Sequence, residues 1–179
     1  MRREGLTTRI MALLEKQLYV KKSGIPGAGK GLYTKRAIPK GALIVEYKGK
    51  RTKWSEVKDE DGRNGYIFYI NRNNVINALP TKKSLARYAN DARGMVRIKG
   101  VLNNADYTVE GLRAYIEAKK NIPAGGEILV DYGRDYWKVI RENIRLVREE
   151  EKEAATAAAA RNGKAHKKHL VTAKRMEHR

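Results

Sequence analysis

The stretch Ser84-Leu85-Ala86-Arg87-Tyr88-Ala89-Asn90-Asp91 lies near the middle of the 179-residue chain. A surface loop would not need its apolar half, and a core strand would not tolerate its polar half. Such a mixture suits a buried segment whose polar groups meet a ligand or another loop. A short amphipathic helix ending in an Asn-Asp turn is the simpler alternative, and the stretch taken alone favours it.

Short runs on both sides of this stretch have the β-branched, aromatic or alternating apolar residues typical of strands. They are residues 18–20, 42–47, 66–70, 75–79, 95–101, 112–118 and 127–132. Turn residues separate most of them, including Asn103-Asn104. Helical patterns are limited here to residues 9–17 and one turn within 52–57. The pattern predicts a mainly β domain with short helices.

A long helix is expected after the strands, capped by Asp135 and ending at Arg161-Asn162-Gly163. Lysine and arginine dominate the residues beyond it, which predicts disorder. The predicted organisation is an N-terminal helical extension, a β-rich domain, a C-terminal helix and a basic disordered tail, over residues 1–17, 18–137, 138–162 and 163–179.

Composition narrows the chemistry that the chain can perform. Cysteine is absent, and all three histidines, His166, His169 and His178, lie near the C-terminus. The β-rich part therefore has no Ser-His-Asp arrangement, and we expect no metal site. Ten tyrosines stand against one phenylalanine, an unusual ratio in favour of the aromatic side chain with a hydroxyl.

The formal net charge of +19 indicates an anionic partner, most simply nucleic acid or a protein bound to it, contacted through the basic tail. A solvated basic surface is the alternative. The apolar cluster at residues 10–14 is too short for a signal peptide or a membrane span, so a soluble, intracellular protein without a membrane partner is expected.

The glycine-rich stretch at residues 24–31 nearly matches the phosphate-binding pattern G-x-x-x-x-G-K-[ST]. Gly31 replaces the hydroxyl residue, and the residues that follow favour a strand and a turn rather than a helix. These glycines therefore predict a bend between strands where the backbone approaches a ligand closely, or a plain turn.

Four segments, in order, resemble the motifs of the SET domain, the fold of many protein lysine methyltransferases. They are residues 28–33 with 38–49, then 66–68, 85–91 and 122–133. The resemblance covers residues 19–137. It implies a β-clip fold in which the last two segments pass through one another as a pseudo-knot. It also implies the minimal type, because the zinc-binding cysteine clusters that flank many relatives are absent.

The resemblance implies methyl transfer from S-adenosylmethionine to a lysine of a protein substrate. Tyr132 would be the main catalytic residue, with Tyr66 as its partner. Cofactor contacts would come from Gly29, Lys30, Gly31, Arg87, Asn90, Asp91, Tyr132 and Trp137. Substrate contacts would come from Tyr69, Tyr115 and Val130. Trp137 would close the cofactor site, and packing of the following helix explains it equally well.

The segment at residues 85–91, with the residue after it, departs from the family pattern. Asp91 and Ala92 stand where the family has His and Ser. Two interpretations follow. The chain is a lysine methyltransferase acting on a basic, nucleic-acid-associated protein such as a histone or histone-like protein, or it is a basic binding protein with an inactive domain. The location would be the nucleus, or the cytoplasm and nucleoid of a bacterium. A P-loop nucleotidase is disfavoured.

Overall fold

The structure is a computed structural model that describes the backbone of residues 13–176 and the side chains of residues 13–159. Within these limits it holds eight strands, two α-helices and three short 3-10 helices. The strands are β1 Leu18–Lys22, β2 Lys30–Thr34, β3 Leu43–Glu46, β4 Lys50–Thr52, β5 Ile67–Asn71, β6 Asn74–Asn77, β7 Ala105–Glu110 and β8 Arg113–Ala118. The helices are α1 Trp54–Val57 and α2 Arg134–Met176, and the 3-10 helices are Glu15–Gln17, Lys58–Glu60 and Leu85–Tyr88.

The strands form three small antiparallel sheets, in the orders β1-β2, β3-β8-β7 and β4-β6-β5. The predicted mainly β domain is thereby confirmed. Contacts divide the chain into two units, Met1–Trp137 and Lys138–Arg179, and every strand belongs to the first unit. The second unit consists of the greater part of α2.

One apolar core joins the sheets of the first unit. Its fully buried side chains come from all three sheets and from the segments between them, and include Leu32, Ile38, Ile44, Ile76, Ile116, Ile122, Ile128 and Val130. Burial of so many β-branched side chains against several sheets favours the pleated, extended conformations that the sequence predicts.

The central stretch is helical only over the single 3-10 turn Leu85–Tyr88, so the amphipathic-helix alternative is wrong. Asn90 then pairs in parallel with Leu129, and the carbonyl of Asn90 accepts a 2.8 Å hydrogen bond from Val130. Val130 also forms a parallel bridge with Ala105. The last segment therefore lies between two others. It is held by isolated bridges and is not the regular strand predicted over residues 127–132.

A second strand prediction is also wrong, and a strand lies where none was predicted. Residues 95–101 form turns and bends with no partner strand, although their composition is apolar. The strand lies later, at β7, where Ala105, Tyr107 and Val109 alternate with polar residues and pair with β8. Apolar composition alone does not make a strand, because the backbone needs a neighbouring strand to hydrogen-bond.

The helices predicted near the two ends of the chain also differ from those in the structure. Of the predicted helix over residues 9–17, residues 9–12 lie outside the described residues, and only Glu15–Gln17 forms a turn. The amide of Leu14 instead donates to the carbonyl of Ile44, at 2.8 Å. At the other end, α2 continues past Gly163 to Met176, so the predicted stop and disordered tail do not match the backbone. Alanine, lysine and arginine surround Gly163, and their helix propensity offsets its cost of about 1 kcal/mol.

Candidate active site

A cavity of about 500 Å³ opens in the first unit. One wall is residues 25–30, the glycine-rich tip between β1 and β2. The facing wall is formed by the central stretch, through Arg87, Tyr88, Asn90 and Asp91, and by residues 94–96. Gly65 and a group of aromatic rings, Tyr47, Tyr66, Tyr107, Tyr132, Tyr136 and Trp137, complete the lining.

The glycine-rich tip is held in place by the carboxylate of Glu127. Its Oε1 accepts a 2.6 Å bond from the Ser23 hydroxyl, and its Oε2 accepts bonds from the Gly24 amide at 2.9 Å and the Tyr33 hydroxyl at 2.8 Å. Asn90 Nδ2 donates to the carbonyl of Lys30 at 3.0 Å. Segments distant in sequence thus fix the backbone that faces the cavity, as expected of a site that must be rigid before ligand arrives.

The aromatic rings of the cavity pack on one another. The Tyr132 ring stacks on Trp137, with centroids 5.9 Å apart and planes at 15°. Tyr136 meets both rings edge-on, at 4.9 Å and 5.1 Å. Such contacts stabilise ring positions beyond the burial of area alone. The cavity therefore has a firm aromatic wall.

Four tyrosines of the cavity stay protonated at neutral pH. Burial raises the pKa of Tyr132, Tyr107 and Tyr47 well above the usual value, and burial raises that of Tyr136 in the same direction. The Tyr132 hydroxyl donates a 2.7 Å hydrogen bond to the carbonyl of Ala89. Its oxygen lone pairs can still accept a hydrogen bond, but a protonated phenol cannot serve as a general base.

Arg87 brings a positive charge to the cavity. Its guanidinium lies over the ring of Tyr66, 4.1 Å from the centroid. Its Nε is buried and has no hydrogen-bond partner among the described residues. Unsatisfied buried donors are rare in folded proteins. Because Nε is enclosed by protein, a ligand in the cavity would meet the charge of the guanidinium and not this atom.

Most of the predicted site residues line the cavity, namely Gly29, Lys30, Tyr66, Arg87, Asn90, Asp91, Tyr132 and Trp137. Gly31, Tyr69, Tyr115 and Val130 do not. Gly31 and Val130 are buried in the domain, whereas Tyr69 is 50% exposed and packs edge-on against Trp54. Tyr115 is a buried residue of β8, and the Arg113 guanidinium lies 5.3 Å from its ring centroid. Those four residues therefore receive no support from the cavity.

Besides Tyr88, which lies in the central stretch but was given no site role, sequence reasoning missed three cavity tyrosines, Tyr47, Tyr107 and Tyr136. Tyr47 follows β3, Tyr107 lies in the missed strand β7, and Tyr136 lies in the first turn of α2. The excess of tyrosine over phenylalanine was the available signal. It gave no positions, because the three tyrosines are distant in sequence and meet only in the folded chain.

Comparison with known families agrees with this architecture, because the family model of the SET domain matches residues 29–133. The chain belongs to the SET-domain family. SET domains are the fold of protein lysine methyltransferases. A comparison with curated proteins found no match.

A similar solved structure is the humanized mutant of the Chaetomium thermophilum Polycomb Repressive Complex 2 bound to the inhibitor GSK126. The match has 23% identity and a TM-score of 0.54, and it covers 69% of this chain but only 16% of that chain. At this identity the likeness concerns the fold alone. It agrees with the SET-domain fold.

The P-loop interpretation is wrong for this SET domain. The glycine-rich stretch ends in β2, which pairs with β1 from Leu18↔Thr34 to Lys22↔Lys30, and no helix begins there. A P-loop needs the N-terminus of a helix to hold the phosphates. The stretch is the hairpin bend that the sequence predicted.

Proposed function

We propose that this chain is an S-adenosylmethionine-dependent protein lysine N-methyltransferase. The observation that carries the proposal is the cavity itself, in which a glycine-rich backbone, two cations and seven aromatic rings converge within a SET domain. Its volume of about 500 Å³ falls in the range of small-molecule sites.

The residues present fit this cofactor. Lys30 and Arg87, which both line the cavity, suit a carboxylate. The aromatic wall suits both a flat base and a cationic sulfur, since ring faces attract cations. Gly29, with a φ of +70°, lets the backbone approach closely. When bound, S-adenosylmethionine supplies a methyl group whose carbon–sulfur bonding pair stays on sulfur as the lysine nitrogen forms its bond to carbon.

The chain's own residues would prepare the lysine. The tyrosine-lined cavity disfavours the ammonium form, because desolvation lowers the pKa of a lysine. The lysine proton would pass to solvent, since burial keeps the Tyr132 hydroxyl protonated. The Tyr132 oxygen, fixed by its bond to Ala89, would accept a hydrogen bond from the amine and aim its lone pair. Tyr66 and Tyr107 would line the part of the cavity that holds the lysine side chain.

The test is transfer of a tritiated methyl group from S-adenosylmethionine to a panel of basic proteins that includes this chain. Wild type should label at least one protein, Tyr132→Phe should label it far less, and Tyr19→Phe, outside the cavity, should match wild type. Calorimetric binding of S-adenosylmethionine without any transfer would favour the inactive binding protein. Absence of binding would overturn both the cofactor and the activity.

The net charge of +19 supports an anionic partner such as nucleic acid. A basic substrate protein would then be reached while it is bound to that nucleic acid, at an intracellular location where the two meet. None of the helices within residues 13–176 is long and apolar enough to cross a membrane. Deletion of residues 164–179 should weaken binding to duplex DNA and reduce its salt dependence. Unchanged salt dependence would remove this segment from the interaction.

A further inference from the structure

The carboxylate of Asp91 is buried beside the aromatic wall, with 3% of the residue exposed. Its Oδ1 accepts hydrogen bonds from the Arg93 amide at 2.7 Å and from Asn103 Nδ2 at 2.8 Å. Its Oδ2 accepts from the Tyr132 amide at 2.9 Å and from the Trp137 indole Nε1 at 2.7 Å. Asp91 therefore joins the central stretch to the last segment and to the first turn of α2.

All four partners of Asp91 are hydrogen-bond donors, so a side chain with two acceptor oxygens is required. An asparagine would turn its NH₂ group towards two of these donors. Among the described residues, Asp91 pairs with no cation, and the Arg93 guanidinium instead contacts Asp131 at 3.0 Å. Neutral donors alone satisfy this buried carboxylate, which makes it sensitive to the loss of any one of them.

Gly94 lies against the six-membered ring of the Trp137 indole. A Cβ atom on Gly94 would lie 3.0 Å from Cη2 and 3.2 Å from Cζ2 of the indole. The φ of Gly94 is not positive, so space and not backbone conformation requires glycine here. Trp137 is thus located by a hydrogen bond at one edge, by Gly94 at another, and by stacking on Tyr132.

We propose that Asp91 is a positioning residue that sets the aromatic wall of the cavity through Trp137 and the Tyr132 backbone. The carboxylate accepts from the Trp137 indole N–H and from the Tyr132 backbone amide, so it fixes both the indole and the segment that carries Tyr132. The ligand part of this inference rests on the proposed function. The placement of Trp137 does not.

Trp137 and Trp54 are the two tryptophans of the chain, so a Trp54→Phe background reports Trp137 alone. In this background Asp91→Asn should shift Trp137 emission to longer wavelength and raise its quenching by acrylamide, because the indole loses its anchor. Asp106→Asn is the matched control. It removes a charge from a partly exposed pair with Lys119, and emission should stay unchanged.

The second readout is the affinity for S-adenosylmethionine, measured by calorimetry. Asp91→Asn and Trp137→Phe should each weaken binding by about tenfold, the scale of one buried hydrogen bond to a charged group. Because both changes act on the same contact between position 91 and the indole, the double variant should lose much less than the product of the two single losses. Losses that multiply would mean that Asp91 does not act through Trp137, and would overturn the proposal.

Gly94→Ala tests the placement of Trp137 without altering the Asp91 carboxylate. It replaces Asp91→Asn in the emission measurement if that variant does not fold. It should move Trp137 emission in the same direction. Unchanged emission in every folded variant would overturn the proposal. If wild type binds no S-adenosylmethionine while Asp91→Asn still shifts the emission, the proposed function fails and the positioning role stands.

Discussion

The carboxylate of Glu127 fills the space beside Gly31. A Cβ atom on Gly31 would lie 2.9 Å from Cδ of Glu127 and would overlap its Oε1. The same carboxylate holds Ser23, Gly24 and Tyr33, so it cannot move aside without losing those bonds. Burial, and then the neighbouring Glu127, raises the pKa of Tyr33 to about 12. Gly31 is therefore required by the protein's own packing and not by a ligand.

Gly31→Ala should destabilise the domain by about 1–3 kcal/mol, as overpacking of a filled site does. Thermal unfolding measures the loss. Adding Glu127→Ala makes room for the new methyl group, so the double variant should lose less stability than the two single variants together. Full additivity would show that the alanine at position 31 is accommodated elsewhere.

Gly29→Ala should act on binding instead. Gly29 lines the cavity with a φ of +70°, and no atom lies within 4 Å of its would-be Cβ. A left-handed conformation costs alanine about 1–2 kcal/mol, so the loop should shift and S-adenosylmethionine should bind about tenfold more weakly. Gly125→Ala, with a φ of +76° outside the cavity, is the matched control and should bind as wild type.

Lys30→Ala separates this site from a phosphate-binding loop. The carbonyl of Lys30 is held by Asn90, so its backbone keeps its place without the ammonium. We expect a smaller loss of S-adenosylmethionine affinity than for Gly29→Ala, measured by calorimetry. Tight, Lys30-dependent binding of ATP with Mg²⁺ would contradict the whole assignment, because a P-loop lysine carries the phosphate charge.

Tyr132→Phe should lower methyl transfer by about 10²-fold, since a misaimed nucleophile costs about this much. Cofactor affinity should change little, because the ring that stacks on Trp137 remains. The lost bond to Ala89 should cost about 1 kcal/mol of stability. Single-turnover kinetics with saturating S-adenosylmethionine distinguish the two effects. Undiminished transfer in the folded variant would remove the hydroxyl from the mechanism.

The strands could be read from the sequence where local patterns decide them. β3, β5, β6 and β8 each carry a short run of apolar, aromatic or alternating residues, a pattern typical of a strand and too short for a buried helix. β7 was missed, because Asp106 and Glu110 hide its alternation and its partner lies beyond a glycine turn. The isolated bridges of residues 127–132 have no local signal at all, since they depend on Asn90 and Ala105 meeting them in space.

The candidate site was predictable as far as its motifs reach. Arg87, Asn90 and Tyr132 lie in segments whose pattern is recognisable, and all three line the cavity. The partners of Asp91 could not be predicted, because Asn103 and Trp137 are distant from it in sequence and approach it only in the folded chain. Substitution of the family histidine suggested a weakened site. The structure instead gives the aspartate four donors.

Acid should destabilise the domain partly through Glu46. This carboxylate is largely buried in β3, and hydrogen bonds from Arg113 at 2.9 Å and 2.6 Å hold its pKa below the ordinary value of 4.5. A pKa lowered by folding means that the pair stabilises the protein above the unfolded value and that this stability is lost as pH falls through the folded value. Glu46→Gln should therefore be less stable than wild type at pH 7, and the difference should shrink below about pH 4. Urea unfolding at several pH values measures it. A gap that stays constant down to the lowest pH would show that the glutamine is destabilising by its shape and not by its missing charge.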